Sequence, residues 1–259
     1  MKKQIPNLIT LANLFCGMMA TYHAFYGRFE YAAMFIFLGI FFDFFDGMAA
    51  RLLKVSSEFG KELDSLADVV TSGVAPGSIL FNILWNHETS TIIKYVAFLI
   101  PVFAAYRLAK FNIDERQHTS FRGLPAPANA LIWAGIGIWC ANTEVVPYPV
   151  WLDTAWIPTG DGSYLSIMGC TEYMNTSTAL VIIALLSVVT DFLLIADFKM
   201  FSLKVNFKDL SWKTNGTRYI FLAVCALLVV GLGSLSLPIL ILWYIIWSLC
   251  TQKEVEGHE

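Results

Sequence analysis

Charge is scarce in this chain. Asp, Glu, Lys and Arg make up 14% of its 259 residues, against about 25% in soluble domains. With 57% hydrophobic residues and a mean hydropathy of +0.62, this shortage excludes an ordinary soluble globular protein. No polar stretch is long enough to form a separate soluble domain, so residues 1–259 read as one membrane-embedded unit. Cysteine is uninformative as a ligand: the five present show no Cys-x-x-Cys spacing. Cys16, Cys225 and Cys250 lie in apolar runs and read as small buried residues. Cys140 and Cys170 fall near the expected outer face, but spacing alone does not bring their sulfurs together. A small-residue cleavage site is also missing after the first apolar run, so that run is expected to be kept as a helix.

What the chain does have is a series of apolar windows of the roughly 20 residues needed to cross a bilayer core of about 30 Å. They predict eight helices, near residues 7–26, 30–52, 64–84, 91–111, 125–142, 176–196, 217–232 and 236–251. The basic residues are distributed unevenly between the connections. Lys2, Lys3, Arg51, Lys54, Lys61, Arg107, Lys110, Arg116, Arg122, Lys199, Lys204, Lys208, Lys213, Arg218 and Lys253 would all lie on one side, leaving Arg28 and Lys94 elsewhere. The segment 142–175 carries Glu144, Asp153, Asp161 and Glu172 but no Lys or Arg. Basic loops stay on the cytoplasmic side, so both termini are expected there, in agreement with an even number of crossings.

Against this apolar background, four aspartates stand out. Asp43, Asp46, Asp64 and Asp68 fall inside or at the mouth of predicted spanning helices, where a carboxylate is costly and is rarely kept without a metal, a cation or a proton-transfer role. Asp43 and Asp46 are i and i+3, with Gly47 and Ala50 on the same face; Gly60, Asp64 and Asp68 recur every four residues on the next helix. Leu52 to Phe59 is read as a hinge folding these two helices antiparallel, with Gly60 allowing a tight turn or close approach of a ligand. The two faces would then form an oxygen-rich cage. Carboxylates without His or Cys select a hard ion, Mg²⁺ or Mn²⁺, and Mg²⁺ in such sites usually also holds substrate phosphates. Arg51 adds a planar cation suited to phosphate.

Other features are ambiguous from residue type alone. Asn7, Thr10 and Asn13 recur every three residues on the first helix. They could bond neighbouring helices or hold a polar ligand. Arg107 and Lys110 could snorkel to the interface or hold an anion beside the metals. The small residues of Gly73-Val-Ala-Pro76-Gly77 permit close packing and a proline bend. A cation transporter with acidic ligands along its path is the alternative of a different class. It fits poorly with aspartates gathered at one end beside Arg51 and Lys61.

The spacing Asp43-x2-Asp46-Gly47-x2-Ala50-Arg51-x8-Gly60-x3-Asp64-x3-Asp68 resembles the complete signature of the CDP-alcohol phosphotransferase family. Ile5-Pro6-Asn7-Leu8-Ile9-Thr10, Ser57-Glu58-Phe59-Gly60-Lys61-Glu62, Arg107-Leu108-Ala109-Lys110-Phe111-Asn112 and Gly123-Leu124-Pro125 resemble its phosphatidylserine synthase branch, over roughly the first half of the chain. That resemblance implies an all-α integral membrane enzyme of about eight helices that joins CDP-diacylglycerol to L-serine, releasing CMP. It also implies that Asp43, Asp46, Asp64 and Asp68 bind Mg²⁺ or Mn²⁺, two ions in all, and that Asp68 is the general base. Asn7, Thr10, Gly47, Ala50, Arg51, Ser57 and Gly60 would hold the nucleotide and its diphosphate. Lys61, Arg107 and Lys110 are the candidates for the serine carboxylate or the lipid-side phosphate. Glycerol 3-phosphate or inositol phosphate as acceptor is the alternative within the family. The partners so implied are the two substrates, membrane lipids and a second copy of the chain, with no nucleic acid, in a bacterial cytoplasmic membrane with the site facing the cytoplasm.

Overall fold

A computed structural model describes residues 4–55, 57–85, 91–113, 123–142, 176–197, 220–221, 223–225, 227–228 and 236–250. Among these, all regular structure is helical. α1 spans Gln4–Phe25 and α2 spans Phe29–Leu53. A continuous rod follows, made of α3 (Glu58–Asp68), a π-helical turn (Val69–Val74) and α4 (Ala75–Trp85). α5 (Thr91–Tyr95) leads through a 3₁₀ turn (Val96–Phe98) into α6 (Leu99–Ile113). Beyond it come α7 (Ala126–Asn142), α8 (Thr176–Ile195) and α9 (Ser236–Cys250). Four helical stretches are long and apolar enough to cross a membrane: Gln4–Phe25, Phe29–Leu53, Glu58–Trp85 and Ile92–Ile113. The chain is an integral membrane protein.

The rod Glu58–Trp85 is the central element: 72% of its apolar window is buried, against 33% for α1 and 28% for α2. Its small residues explain this. A Cβ on Gly73 would sit 3.1 Å from Pro101 Cα, and one on Gly77 would sit 3.0 Å from Ala97 O, so α6 and the turn before it pack directly on the rod's backbone. The core gathers Phe29 and Ile36 of α2, Ile79, Leu80 and Ile83 of α4, and Trp133 of α7. Burying each large apolar side chain contributes about 1.5–3 kcal/mol. Outward, Leu8, Phe15, Met18, Phe41 and Phe44 are exposed, as suits a surface facing acyl chains.

Two connections fix how the helices meet. Gly27, at φ 66, turns α1 back along α2. Gly123, at φ 70, opens α7, and its Leu124 N–H donates to Leu193 O at 2.9 Å, anchoring the turn to the end of α8.

The structure corrects one expectation and adds a feature. The third spanning helix was expected over 64–84, with a hinge from Leu52 to Phe59, but α3 begins at Glu58 and α2 continues to Leu53. Ser57 is the reason: its backbone is extended and its Oγ accepts from Gly60 N–H at 3.0 Å, satisfying a first-turn amide. The hinge is therefore shorter, running from Lys54, which closes α2 at φ 52, to Ser57. The added feature is the π turn directly after Asp68. Such turns shift the helix face and often mark functional sites. The helix expected over 217–232 is described at only a few positions, helical where seen. Cys140 is buried, and Cys170 lies outside the described residues.

Candidate metal and nucleotide site

α2 and α3 are joined by a four-residue connection, so the last turns of α2 face the first turns of α3. This brings one carboxylate oxygen each from Asp43, Asp64 and Asp68 within 4.8 Å of one another. Asp43 and Asp64 also lie within hydrogen-bonding reach of each other. Carboxylates this close repel unless a cation or a proton lies between them. Asp64 Oδ1 is buried and has no hydrogen-bond partner, an orphaned acceptor that costs free energy until something coordinates it. Three oxygen donors and one orphaned lone-pair site fit a hard divalent ion, which one such group can hold with small side-chain rotations.

Asp46 was expected among the ligands, but it stands outside this trio. Its Oδ2 accepts from Thr10 Oγ1 at 2.5 Å, and its side chain is buried. The i, i+3 spacing does put it on the face of Asp43, but the α1 hydroxyl engages it from the other side. Asp68 is held in a similar way: Asn13 Nδ2 donates to Asp68 Oδ1 at 3.0 Å. The polar stripe of α1 therefore bonds to neighbouring helices at Thr10 and Asn13, and the groups it bonds are the site's own carboxylates.

The expected nucleotide contacts form two patches. Asn7, Ser57 and Gly60 meet in one: a Cβ on Gly60 would lie 3.2 Å from Asn7 Oδ1 and 3.1 Å from Ser57 Oγ. Ser57 Oγ is already occupied as the cap of α3. The other patch is on α2, where a Cβ on Gly47 would meet nothing within 4 Å. This leaves bare backbone on the face shared with Asp43 and Ala50. Arg51 is exposed, and its Nε donates to Gly47 O at 3.0 Å, which holds the guanidinium beside that open face.

The three basic candidates diverge. Lys61 Nζ donates to Asn112 O at 2.8 Å, and Asn112 Nδ2 donates to Ser65 Oγ at 2.8 Å, so Lys61 ties α3 to the end of α6. Arg107 does not snorkel. It is 8% exposed, its guanidinium is close enough to Asp68 to interact with it electrostatically and lies 6.0 Å from the Phe111 ring, and its Nε is buried without a partner. Lys110 is half-buried on α6, one turn from Arg107.

Three residues were not assigned to the site from the sequence. Asn13 was visible only as the third member of the stripe. Thr71 sits in the π turn, and its Oγ1 donates to Asn13 Oδ1 at 2.8 Å. Asp191 on α8 is 1% exposed, and neither of its oxygens has a partner. A lone carboxylate in the apolar run Thr176–Ile195 was the signal available for it.

Comparison with known proteins follows this geometry. A family profile described as CDP-alcohol phosphatidyltransferase matches residues 3–160. A Bacillus subtilis protein named CDP-diacylglycerol--serine O-phosphatidyltransferase is 42% identical over 123 residues, covering 48% of this chain and 69% of that protein. A Helicobacter pylori protein of the same name is 40% identical over 129 residues, 49% of this chain and 54% of its own length. A Methanothermobacter thermautotrophicus protein named archaetidylserine synthase is 30% identical over 129 residues, again 49% and 54%. The aligned part of the chain thus spans about half of two of these relatives and 69% of the third.

Proposed function

Since this chain belongs to the CDP-alcohol phosphatidyltransferase family, we propose that it transfers the phosphatidyl group of CDP-diacylglycerol to the hydroxyl of L-serine, releasing CMP. The observation that carries the reading is the convergence of Asp43, Asp64 and Asp68 beside the open backbone of Gly47. The choice of serine is supported by the relatives' names: those from bacteria and the archaeal one differ in the lipid named and share the serine.

The site's residues divide the labour according to their chemistry. Asp43, Asp64 and Asp68 would hold a divalent ion, and Asp46, steadied by Thr10, would join them around a second. Bound Mg²⁺ or Mn²⁺ supplies neutralisation of the diphosphate and a better leaving group. Gly47 lets the diphosphate approach the α2 backbone, with Ala50 leaving room and Arg51 adding a planar cation at its edge. Asn7, Thr10, Ser57 and Gly60 line the approach for the nucleotide. Asp68 takes the proton of the serine hydroxyl as that oxygen bonds to the β-phosphorus, while the bond from that phosphorus to the CMP oxygen breaks. Arg107, buried and electrostatically coupled to Asp68, is the stronger candidate for the acceptor's carboxylate or the lipid-side phosphate, with Lys110 one turn along α6. Lys61, committed to Asn112, is the weaker one.

A substrate that is half lipid and half charged nucleotide requires a site at the membrane interface that opens sideways. The carboxylates near the ends of α2 and α3 and the exposed apolar faces of α1 and α2 suit that need. The bias of basic residues supports a cytoplasmic orientation in a bacterial cytoplasmic membrane. We read residues 1–259 as a single domain acting as a homodimer.

The test is an acceptor panel. Purified protein with CDP-diacylglycerol and Mg²⁺ is offered L-serine, glycerol 3-phosphate or inositol phosphate, and CMP release is followed. Release with serine and not with the phosphorylated alcohols is expected. Release with a phosphorylated alcohol alone would reassign the acceptor. Metal flux into liposomes without CMP formation would replace the enzyme by a transporter.

A further inference from the structure

Asp68 is gripped from behind by a chain of two side chains on two different elements. Asn13 Nδ2 donates to Asp68 Oδ1 at 3.0 Å, and Thr71 Oγ1 donates to Asn13 Oδ1 at 2.8 Å, with Asn13 O a further acceptor at 3.2 Å. Asn13 and Thr71 are 0% exposed and Asp68 is 8% exposed, so water does not substitute for any link. The order of donors is forced. A threonine hydroxyl that donates to the amide oxygen leaves the NH₂ group as the end facing Asp68. If the amide flipped, it would set its oxygen against a carboxylate that only accepts, and the Thr71 hydroxyl would lose its bond to Oδ1.

The packing is built around Thr71. A Cβ on Gly17 of α1 would lie 2.5 Å from Thr71 Oγ1, and a Cβ on Gly39 of α2 would lie 2.5 Å from Thr71 Cγ2 and 2.9 Å from Asn13 Oδ1. Two helices give up side chains at the level where Thr71 enters, and the π turn Val69–Val74 carries Thr71 into that slot.

We infer that Asn13 and Thr71 are positioning residues for Asp68: the amide fixes the carboxylate's rotamer, and the Thr71 hydroxyl, bonded to the amide oxygen, holds the amide in place. The inference rests on Asp68 being the proton acceptor proposed above. Neither residue touches substrate, so their loss lowers the rate of the chemical step and leaves substrate binding intact.

The experiment compares wild type, Thr71→Val, Thr71→Ser, Asn13→Ala and the Asn13→Ala/Thr71→Val double variant, using whichever alcohol the acceptor panel shows to release CMP. Thr71→Val is expected to lower kcat about tenfold, the scale of one buried hydrogen bond, with KM for CDP-diacylglycerol and for the acceptor within about twofold. Thr71→Ser keeps the hydroxyl and is expected to retain near-wild-type kcat. The double variant is expected to lose no more than Asn13→Ala alone, because Thr71 acts through Asn13. Wild-type kcat in Thr71→Val, additive losses in the double variant, or a rise in KM at constant kcat would overturn the inference. So would a lowered melting temperature with kcat per folded enzyme unchanged. Failure of serine in the wild type would overturn the choice of acceptor and leave this comparison intact. Failure of every alcohol would overturn both.

Discussion

The hydroxyl of Thr10 donates to Asp46 Oδ2 at 2.5 Å, linking α1 to α2 across 36 positions of sequence. Asp46 belongs to the signature spacing yet stands apart from the three converging carboxylates, so its orientation depends on this contact. A hydrogen bond to a charged group contributes about 1.5–3 kcal/mol. Thr10→Val is expected to raise the Mg²⁺ concentration for half-maximal CMP release by about tenfold or more, while saturating Mg²⁺ restores most of the rate. A titration of activity against Mg²⁺ checks this, and an unchanged midpoint would remove Thr10 from metal binding.

The aspartates are expected to separate by role. Asp68→Asn keeps binding of CDP-diacylglycerol and loses nearly all turnover, because the amide retains size and polarity but accepts no proton. Asp43→Asn weakens metal and nucleotide binding together, since it removes a donor from the trio. Binding of a radiolabelled cytidine liponucleotide beside the rate of CMP release distinguishes the two. Chelation should abolish release in the wild type.

Gly47 offers a test of the diphosphate's approach. A side chain there meets no protein atom within 4 Å, so Gly47→Leu should leave the melting temperature in detergent unchanged or slightly raised, as glycine is a poor helix residue by about 1 kcal/mol. The same side chain would fill the space proposed for the diphosphate. KM for CDP-diacylglycerol should rise at least tenfold. Equal KM would place the nucleotide elsewhere.

The slot around Thr71 makes a suppressor prediction. Gly39→Ala drives a methyl into Thr71 Cγ2 and Asn13 Oδ1 and should cost activity through overpacking, typically about 1–3 kcal/mol. Thr71→Ser removes that Cγ2 and should restore part of the activity. It should not rescue Gly17→Ala, whose methyl meets the Thr71 hydroxyl and backbone instead. Rescue of both or of neither, by the same CMP assay, would show that the slot is not read correctly.

Lys61 carries a prediction about its own demotion. Its ammonium is committed to Asn112 O at the end of α6, where a cation also suits the helix dipole. Lys61→Met should lower thermal stability by about 1 kcal/mol and leave the acceptor's KM unchanged within about twofold. A selective rise in that KM would return Lys61 to the substrate.

Much of this site was legible because helix geometry converts spacing into direction. Asp43, Asp64 and Asp68 are three to four residues from their signature partners, and a short polar break joins their helices, so convergence followed. What hydropathy hid was the start of α3. Gly60, Lys61 and Glu62 look like loop on a hydrophobic scale, although Ser57 with Glu58 behind it is a helix-start signal. The fate of Asp46 was hidden for another reason. Spacing gives the face of its own helix and says nothing of a hydroxyl arriving from α1. The π turn and the role of Thr71 were hidden more deeply, since both depend on where two glycines of other helices make room. Arg107 could be told from a snorkelling side chain only once its burial was seen.

Every side chain proposed for the chemistry, from Asn7 to Lys110, falls within the stretch matched to the family profile and ahead of residues 142–175. The reactive machinery is thus contributed by the leading portion of the polypeptide, through contacts between successive helices. Among the described residues, α8 braces the start of α7 through Leu193 O, which accepts from Leu124 N–H. A ribosome would have made all the parts of the reaction centre before the trailing segments entered the bilayer.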